Sequence, residues 1–197
     1  MTGMACPRDD TPAHSSTASP DPRLPHGVAL RALPDRCDGM RHITEVYRGD
    51  WQLGAVPAQW NFVFSKPNSF RGVHAHVDHW DYLHVVSGEM LLGLHDLRPG
   101  SPTYRMAAQC RLAGDRPAGI AIPPGVAHGF YLAAATTYLY ALSHCWTPAG
   151  ALGCRWDDPA LGLSWPTTDP LLSQRDANAG SYAELARAMA ASQALAS

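Results

Sequence analysis

Lysine is almost missing from this chain. Of its 15 basic residues only Lys66 is a lysine, so an anionic ligand would be met mainly by arginine forks rather than by ammonium groups. Net charge is also missing: the formal value is −2, which leaves no basic footprint for DNA or RNA. The five cysteines, Cys6, Cys37, Cys110, Cys145 and Cys154, are odd in number and form no C-x-x-C pair. That argues against a disulfide framework and against a thiolate zinc site. No apolar run is long enough to span a membrane. The N-terminal stretch carries Asp9 and Asp10 and no hydrophobic signal core. Together these absences predict a cytoplasmic protein without a membrane or nucleic-acid partner.

What is present suits one domain with tails. The chain has 197 residues, 46% of them hydrophobic, enough for a real core. Residues 1–25 are rich in Pro, Ser, Thr and Asp and are expected to be a disordered tail. From Val28 onward short β-favouring runs are punctuated by Pro and Gly. They cover Trp60–Phe64, Gly72–His76, Tyr82–Val86, Met90–His95, Tyr104–Leu112, Ala118–Ile122, His128–Leu132 and Thr136–Ser143. Evenly spaced short strands predict an all-β sandwich, barrel or jelly roll across residues 26–180. Residues 181–197 read as a short C-terminal helix, opened by a capping box of Ser181 and Glu184.

The chemistry concentrates in histidine. His74, His76, His79 and His84 fall between Arg71 and Gly88, and His128 follows a Pro-Pro-Gly turn. Residues two apart in a strand share a face, so His74 and His76 are expected to point together, with His84 and His128 able to join them across a barrel interior. His79 and His95 are expected at the surface or behind the site.

The spacing His74-x-His76, four residues, Asp81, six residues, Gly88, then Pro123-x-Gly125-x-x-His128, resembles the two-part cupin signature, with Asp81 where glutamate is usual. More of the chain is similar to one cupin family, the dTDP-4-dehydrorhamnose 3,5-epimerases. Arg71-Gly-Val-His74 resembles its R-G-L-H. Asp96-Leu-Arg-Pro-Gly-Ser-Pro-Thr103 resembles its D-x-R-x-G-S-P-T, and Ile122–Phe130 its I-P-x-G-x-A-H-G-F. Arg155–Pro166 resembles its W-N-D-P…W-P segment, and Leu172-Ser-Gln-Arg-Asp176 its L-S-x-K-D. The resemblance runs in order over about residues 28–185. It implies a cupin double-stranded β-helix and epimerisation of a nucleotide-linked 4-keto-6-deoxy sugar by removal of a proton beside the ketone. It gives His74 the role of general base, Asp158 that of the carboxylate orienting it, and Tyr140 that of the acid on the opposite face. Arg71, Gln59, Asn61, Glu45, His128, Arg41 and His76 are implied to bind substrate. The resemblance also implies a homodimer and no cofactor.

Two segments depart from the family. In Asp38–Glu45 the arginine position holds Met40, the glycine position Arg41 and the aromatic position Ile43. In the strand after the histidine pair, Asp81 stands where the family has a lysine that helps stabilise the enolate. An anion there opposes a developing negative charge. A histidinium could restore the balance. So could a divalent metal held by His74, His76, Asp81 and His128. A histidine that ligates metal has no lone pair left for base chemistry, so the two uses exclude each other at His74. A looser arrangement, with His76, Asp81 and His84 on the metal, would leave His74 free. A sugar-binding protein without catalysis remains a third reading.

Overall fold

Strand-forming sequence runs in this chain are bounded by turn residues at almost every point where the backbone reverses. The computed structural model describes residues 23–54, 56–147 and 152–195; the tail expected over residues 1–25 lies almost wholly outside them. Twelve strands occur among these residues: β1 Ala29–Ala32, β2 Asp35–Cys37, β3 His42–Thr44, β4 Gln59–Ser65, β5 Ser69–Ala75, β6 Asp81–Ser87, β7 Glu89–Asp96, β8 Ala107–Ala113, β9 Ala118–Ile122, β10 Val126–Leu132, β11 Thr136–Leu142 and β12 Leu152–Gly153. The helices are α1 Gln174–Ala177 and α2 Tyr182–Leu195. The strand runs expected from sequence are all found. One is shorter than expected, because residues 104–106 belong to the turn before β8.

Two five-stranded antiparallel sheets, ordered β1-β9-β6-β11-β4 and β12-β5-β10-β7-β8, face one another as a jelly roll, the cupin double-stranded β-helix. β2 and β3 form a separate hairpin. Inward side chains of both sheets, among them Leu83, Val85, Met90, Leu92, Leu94, Ile120 and Leu132, fill the space between them. A second apolar layer lies behind β5 and β10. There Phe70 and Val73 pack beneath Leu161, Leu185 and Met189 of the C-terminal segment. Trp165 meets Phe70 edge-on at 4.6 Å, so the tryptophans of this segment are packing residues. The expected capping box opens α2: Glu184 accepts from the Ser181 amide at 2.7 Å, and the Ser181 hydroxyl accepts from the Glu184 amide at 3.3 Å.

The Asp96–Thr103 motif is a turn built around one buried carboxylate. Asp96, with no exposed surface, takes Arg98 Nε at 2.8 Å on one oxygen and Arg98 Nη2 at 2.8 Å on the other. It also accepts the Ser101 hydroxyl at 2.6 Å and that of Thr103 at 2.7 Å. Arg98 Nη2 reaches on to the His26 carbonyl, which ties the start of the described chain to this turn. Among the cysteines, Cys110, Cys145 and Cys154 are thiols outside any disulfide. Cys37 is disulfide-bonded, a single bridge rather than a disulfide framework among the described residues. No helix among the described residues is long and apolar enough to cross a membrane.

Burial alone would raise the Asp96 pKa, but its donors overcome that and hold it down at about 2. A depressed carboxylate adds stability above its unfolded value near 3.8 and loses it as the pH falls towards 2. Asp96→Asn is therefore expected to lower unfolding free energy at pH 7 by about 2–3 kcal/mol. The deficit should shrink between pH 4 and pH 2, as measured by denaturant unfolding.

Candidate active site

The site is assembled by β5, β6, β10 and β11. β5 and β10 pair so that His74 and His128 are register partners, and the pairing slips between His128 and Phe130. Gly72 makes this close approach available. Its φ is +103°, and a Cβ there would stand 2.7 Å from both Gly129 Cα and the His128 carbonyl. The Pro-Pro-Gly turn is tied to the end of β5 by the Gly125 amide, which donates to the His76 carbonyl at 2.7 Å. That bond carries His128, three residues on, towards His76.

His74 points to a carboxylate other than the expected one. Its Nε2 lies 2.6 Å from Asp176 Oδ1, and Asp176 is itself buried with its second oxygen on the Ser173 hydroxyl at 2.7 Å. Ser173 caps α1. The segment before α1 is bound to β5 through Phe70 N–H on the Leu171 carbonyl at 3.0 Å. The role expected for Asp158 therefore belongs to Asp176. Asp158 instead accepts the amides of Ala160 at 3.0 Å and Tyr182 at 2.9 Å, joining a 3-10 turn to the start of α2. The aspartate of Leu172-Ser-Gln-Arg-Asp176 carried the signal in the sequence, because a motif ending in a buried acid beside a capping serine has little other use.

A carboxylate accepts only, so Nε2 of a neutral His74 carries the proton and Nδ1 the lone pair. Burial lowers the His74 pKa below its usual 6.5, with the Asp176 bond pulling the other way and Arg175 adding to the lowering. His74 is thus a neutral, oriented imidazole at pH 7. For Asp176, burial works upward, but the bond to His74, its charge, Ser173 and Arg175 prevail and keep the acid ionised.

Beside this pair His76, Asp81 and His128 converge, each offering one ligand atom, all within 4.8 Å of one another. Asp81 Oδ2 is 3.6 Å from His76 Nε2 and 3.8 Å from His128 Nε2. Burial raises the Asp81 pKa to about 7 and lowers that of His128 to about 4. His74, expected as a fourth ligand, is engaged by Asp176 instead. His84 is directed away, its Nδ1 on the Ala118 carbonyl at 3.1 Å. His79 was expected at the surface or behind the site; it is buried, stacked between His76 and His144 at 4.0 Å from each. His95 is buried too, bonded to the Leu161 carbonyl and the Tyr182 hydroxyl, a purely architectural role.

Tyr140 stands on β11 between Leu83 of β6 and Asn61 of β4. Burial and the charge of Asp81 raise its pKa, so the phenol stays protonated at pH 7. Asn61 accepts from Gln59 Nε2 at 3.0 Å, and both are inward neighbours of Tyr140 on this sheet. Arg71 lines a groove of about 280 Å³ with Lys66, Ser69 and Leu172. Arg41 and Glu45 are not brought to this cluster within the chain. They lie on and after the β2–β3 hairpin, Arg41 on Asp38 at 2.9 Å and Glu45 facing Arg36 at 3.6 Å and Arg48 at 3.4 Å.

Comparison with known proteins places this arrangement among others. Residues 42–184 match the family described as dTDP-4-dehydrorhamnose 3,5-epimerase. An enzyme of that name from Neisseria gonorrhoeae is 31% identical over 155 residues, 75% of this chain and 47% of its own length; the chain thus spans about half of that relative. A solved 4-keto-6-deoxy sugar epimerase from the novobiocin gene cluster of Streptomyces spheroides superposes with a TM-score of 0.76 at 29% identity, covering 89% of this chain and 93% of its own. A Legionella pneumophila 3,5-epimerase solved with dTDP-4-keto-L-rhamnose gives 0.73 at 26% identity, covering 81% and 92%.

Asp176 raises the His74 pKa and Asp158 does not touch it. Asp176→Asn is expected to lower the His74 pKa further, and Asp158→Ala to leave it unmoved while costing about 1 kcal/mol through its lost cap. Ring titration by NMR and thermal unfolding of the two variants check this.

Proposed function

The chain belongs to the dTDP-4-dehydrorhamnose 3,5-epimerase family, and on that footing we propose that it epimerises a nucleotide-linked 4-keto-6-deoxy sugar. The observation that carries the proposal is the neutral His74 held by Asp176 with its other nitrogen unprotonated. A ketone acidifies the hydrogens on the carbons flanking it. His74 Nδ1 takes one of these as a proton, the C–H electron pair becomes the C=C bond of an enolate, and the carbonyl oxygen takes the negative charge. Asp176 compensates the imidazolium that forms, as in other base–orienter pairs. Tyr140 donates its hydroxyl proton to the opposite face, which inverts the carbon, and its phenolate recovers a proton from solvent. Gln59 and Asn61 offer amide groups to sugar oxygens beside Tyr140. The groove lined by Lys66 and Arg71 gathers the chain's single lysine and an arginine, a pairing suited to a diphosphate.

The same reading includes a homodimer. Trp60, Phe62 and Phe64 on β4, the edge strand of its sheet, are 41%, 69% and 71% exposed, and such an apolar edge favours covering by a second copy. A neighbouring copy is also the route by which the hairpin bearing Arg41, with Glu45 beyond it, could reach a nucleotide. Light scattering is expected to give twice the chain mass, and Phe62→Lys with Phe64→Lys to shift it to the monomer.

In D2O, incubation with a dTDP-4-keto-6-deoxy sugar is expected to place deuterium at C3 or C5, followed by NMR. His74→Ala should slow exchange by about 10²–10⁴-fold. Tyr140→Phe should retain exchange but lose inversion. Because the His74 pKa is lowered, the acid limb of kcat/KM should fall below pH 6.5. No exchange over a panel of keto-sugar nucleotides, with folded protein, would refute the proposal.

A further inference from the structure

We infer that His76, Asp81 and His128 form a binding site for a divalent transition-metal ion, held inside the barrel by two imidazole nitrogens and one carboxylate oxygen.

Asp81 stands without a donor to its carboxylate. It is 7% exposed, and among the described residues no hydrogen bond reaches its carboxylate. Its nearest ring nitrogens, at 3.6 and 3.8 Å, are beyond hydrogen-bonding distance. A buried carboxylate without donors or a cation is costly, and a protonated Asp81 has no acceptor close enough to take its hydrogen.

His128 shows which atoms face the gap. Its Nδ1 lies 3.3 Å from the Val126 carbonyl, and a carbonyl only accepts, so a neutral ring carries its proton there. Nε2, the atom facing Asp81, then presents a lone pair. His128 Nε2 and an ionised Asp81 Oδ2 thus present electron pairs to one gap, with His76 Nε2 beside them. Two donors bound at about 2.1 Å to one tetrahedral ion stand about 3.4 Å apart. The two separations from Asp81 need to tighten by only a few tenths of an ångström, and the two imidazole donors lie within 4.8 Å of each other. The His76 and His128 rings are tilted by 50°, so their edges converge rather than stack. By contrast, the rings in the neighbouring group of Asp78, His79 and His144 stack at 24°, a poorer arrangement for sharing an ion. Two imidazoles and a carboxylate suit Fe, Mn, Co, Ni or Zn.

The three ligands come from both sheets. Asp81 opens β6, His128 lies on β10, and His76 follows β5. An ion here would sit beside His74 without using it, since His74 Nε2 is taken by Asp176. When bound it would supply positive charge where Asp81 replaces the family lysine. That catalytic use rests on the epimerase reading; the binding itself does not.

Protein stripped with a chelator and titrated with Co2+ and Zn2+ is expected to bind one ion per chain by calorimetry and elemental analysis, with a visible Co2+ absorption. Asp81→Asn and His128→Ala should weaken binding by about 100-fold or more, beyond the loss expected for an outer partner of a ligand. His74→Ala should leave affinity unchanged. Circular dichroism in chelator confirms that each variant is folded, and Co2+ should raise the melting temperature of the parent chain but not of Asp81→Asn. Absence of stoichiometric binding by the folded parent chain would overturn the inference. So would binding that survives Asp81→Asn but is lost in His144→Ala. Full deuterium exchange by chelated, metal-free protein would remove the catalytic use and leave the epimerase intact. Stoichiometric binding without exchange would remove the epimerase reading, and the catalytic use with it, and leave the binding site standing.

Discussion

Two strands without side-chain bulk at their crossing bring the chemistry together. Where β5 meets β10, Gly72 faces Gly129 and the backbones approach within a distance that any Cβ would forbid. The register set there pairs His74 with His128. One histidine then turns to the C-terminal segment and Asp176, while the other turns to the barrel interior and Asp81. A side chain at position 72 would push the strands apart and separate the two histidines. Steric closeness, rather than any single hydrogen bond, underlies the geometry.

The two carboxylates near these histidines have opposite circumstances. Asp176 has a ring proton and a hydroxyl to accept and remains ionised despite burial. Asp81 has neither, and burial drives it towards the neutral form. This contrast divides the site into a half already satisfied by protein and a half waiting for something external. The phenol of Tyr140 senses that second half, because the charge of Asp81 raises its pKa.

Most of the fold could be read from the chain. Turn residues and β-favouring runs located every strand expected, because Pro and Gly punctuate the chain where it reverses, even where a strand such as β10 is buried along its whole length. The Ser181–Glu184 box announced α2 because its reciprocal bonds are local. The site was only partly legible. His74, Tyr140 and His128 were identified from motif position. Asp158 was chosen over Asp176 because two aspartates in similar motifs differ only in which strand their segment packs against, a tertiary fact. His79 looked like a surface residue since nothing local to it predicts that its ring will stack between two others. His84 alternates correctly with the interior positions, yet its ring is claimed by the Ala118 carbonyl.

The placement of Asp176 has a consequence for how the molecule matures. Strands β1 to β11 are finished by Leu142, and the barrel can close as soon as they have left the ribosome. His74 inside that barrel stays without its carboxylate partner until a further thirty or so residues arrive and α1 docks against β5. Synthesis thus yields an enclosed scaffold first and an oriented imidazole only later, so a nascent chain held at the barrel stage would have its interior shaped before its His74–Asp176 pair formed.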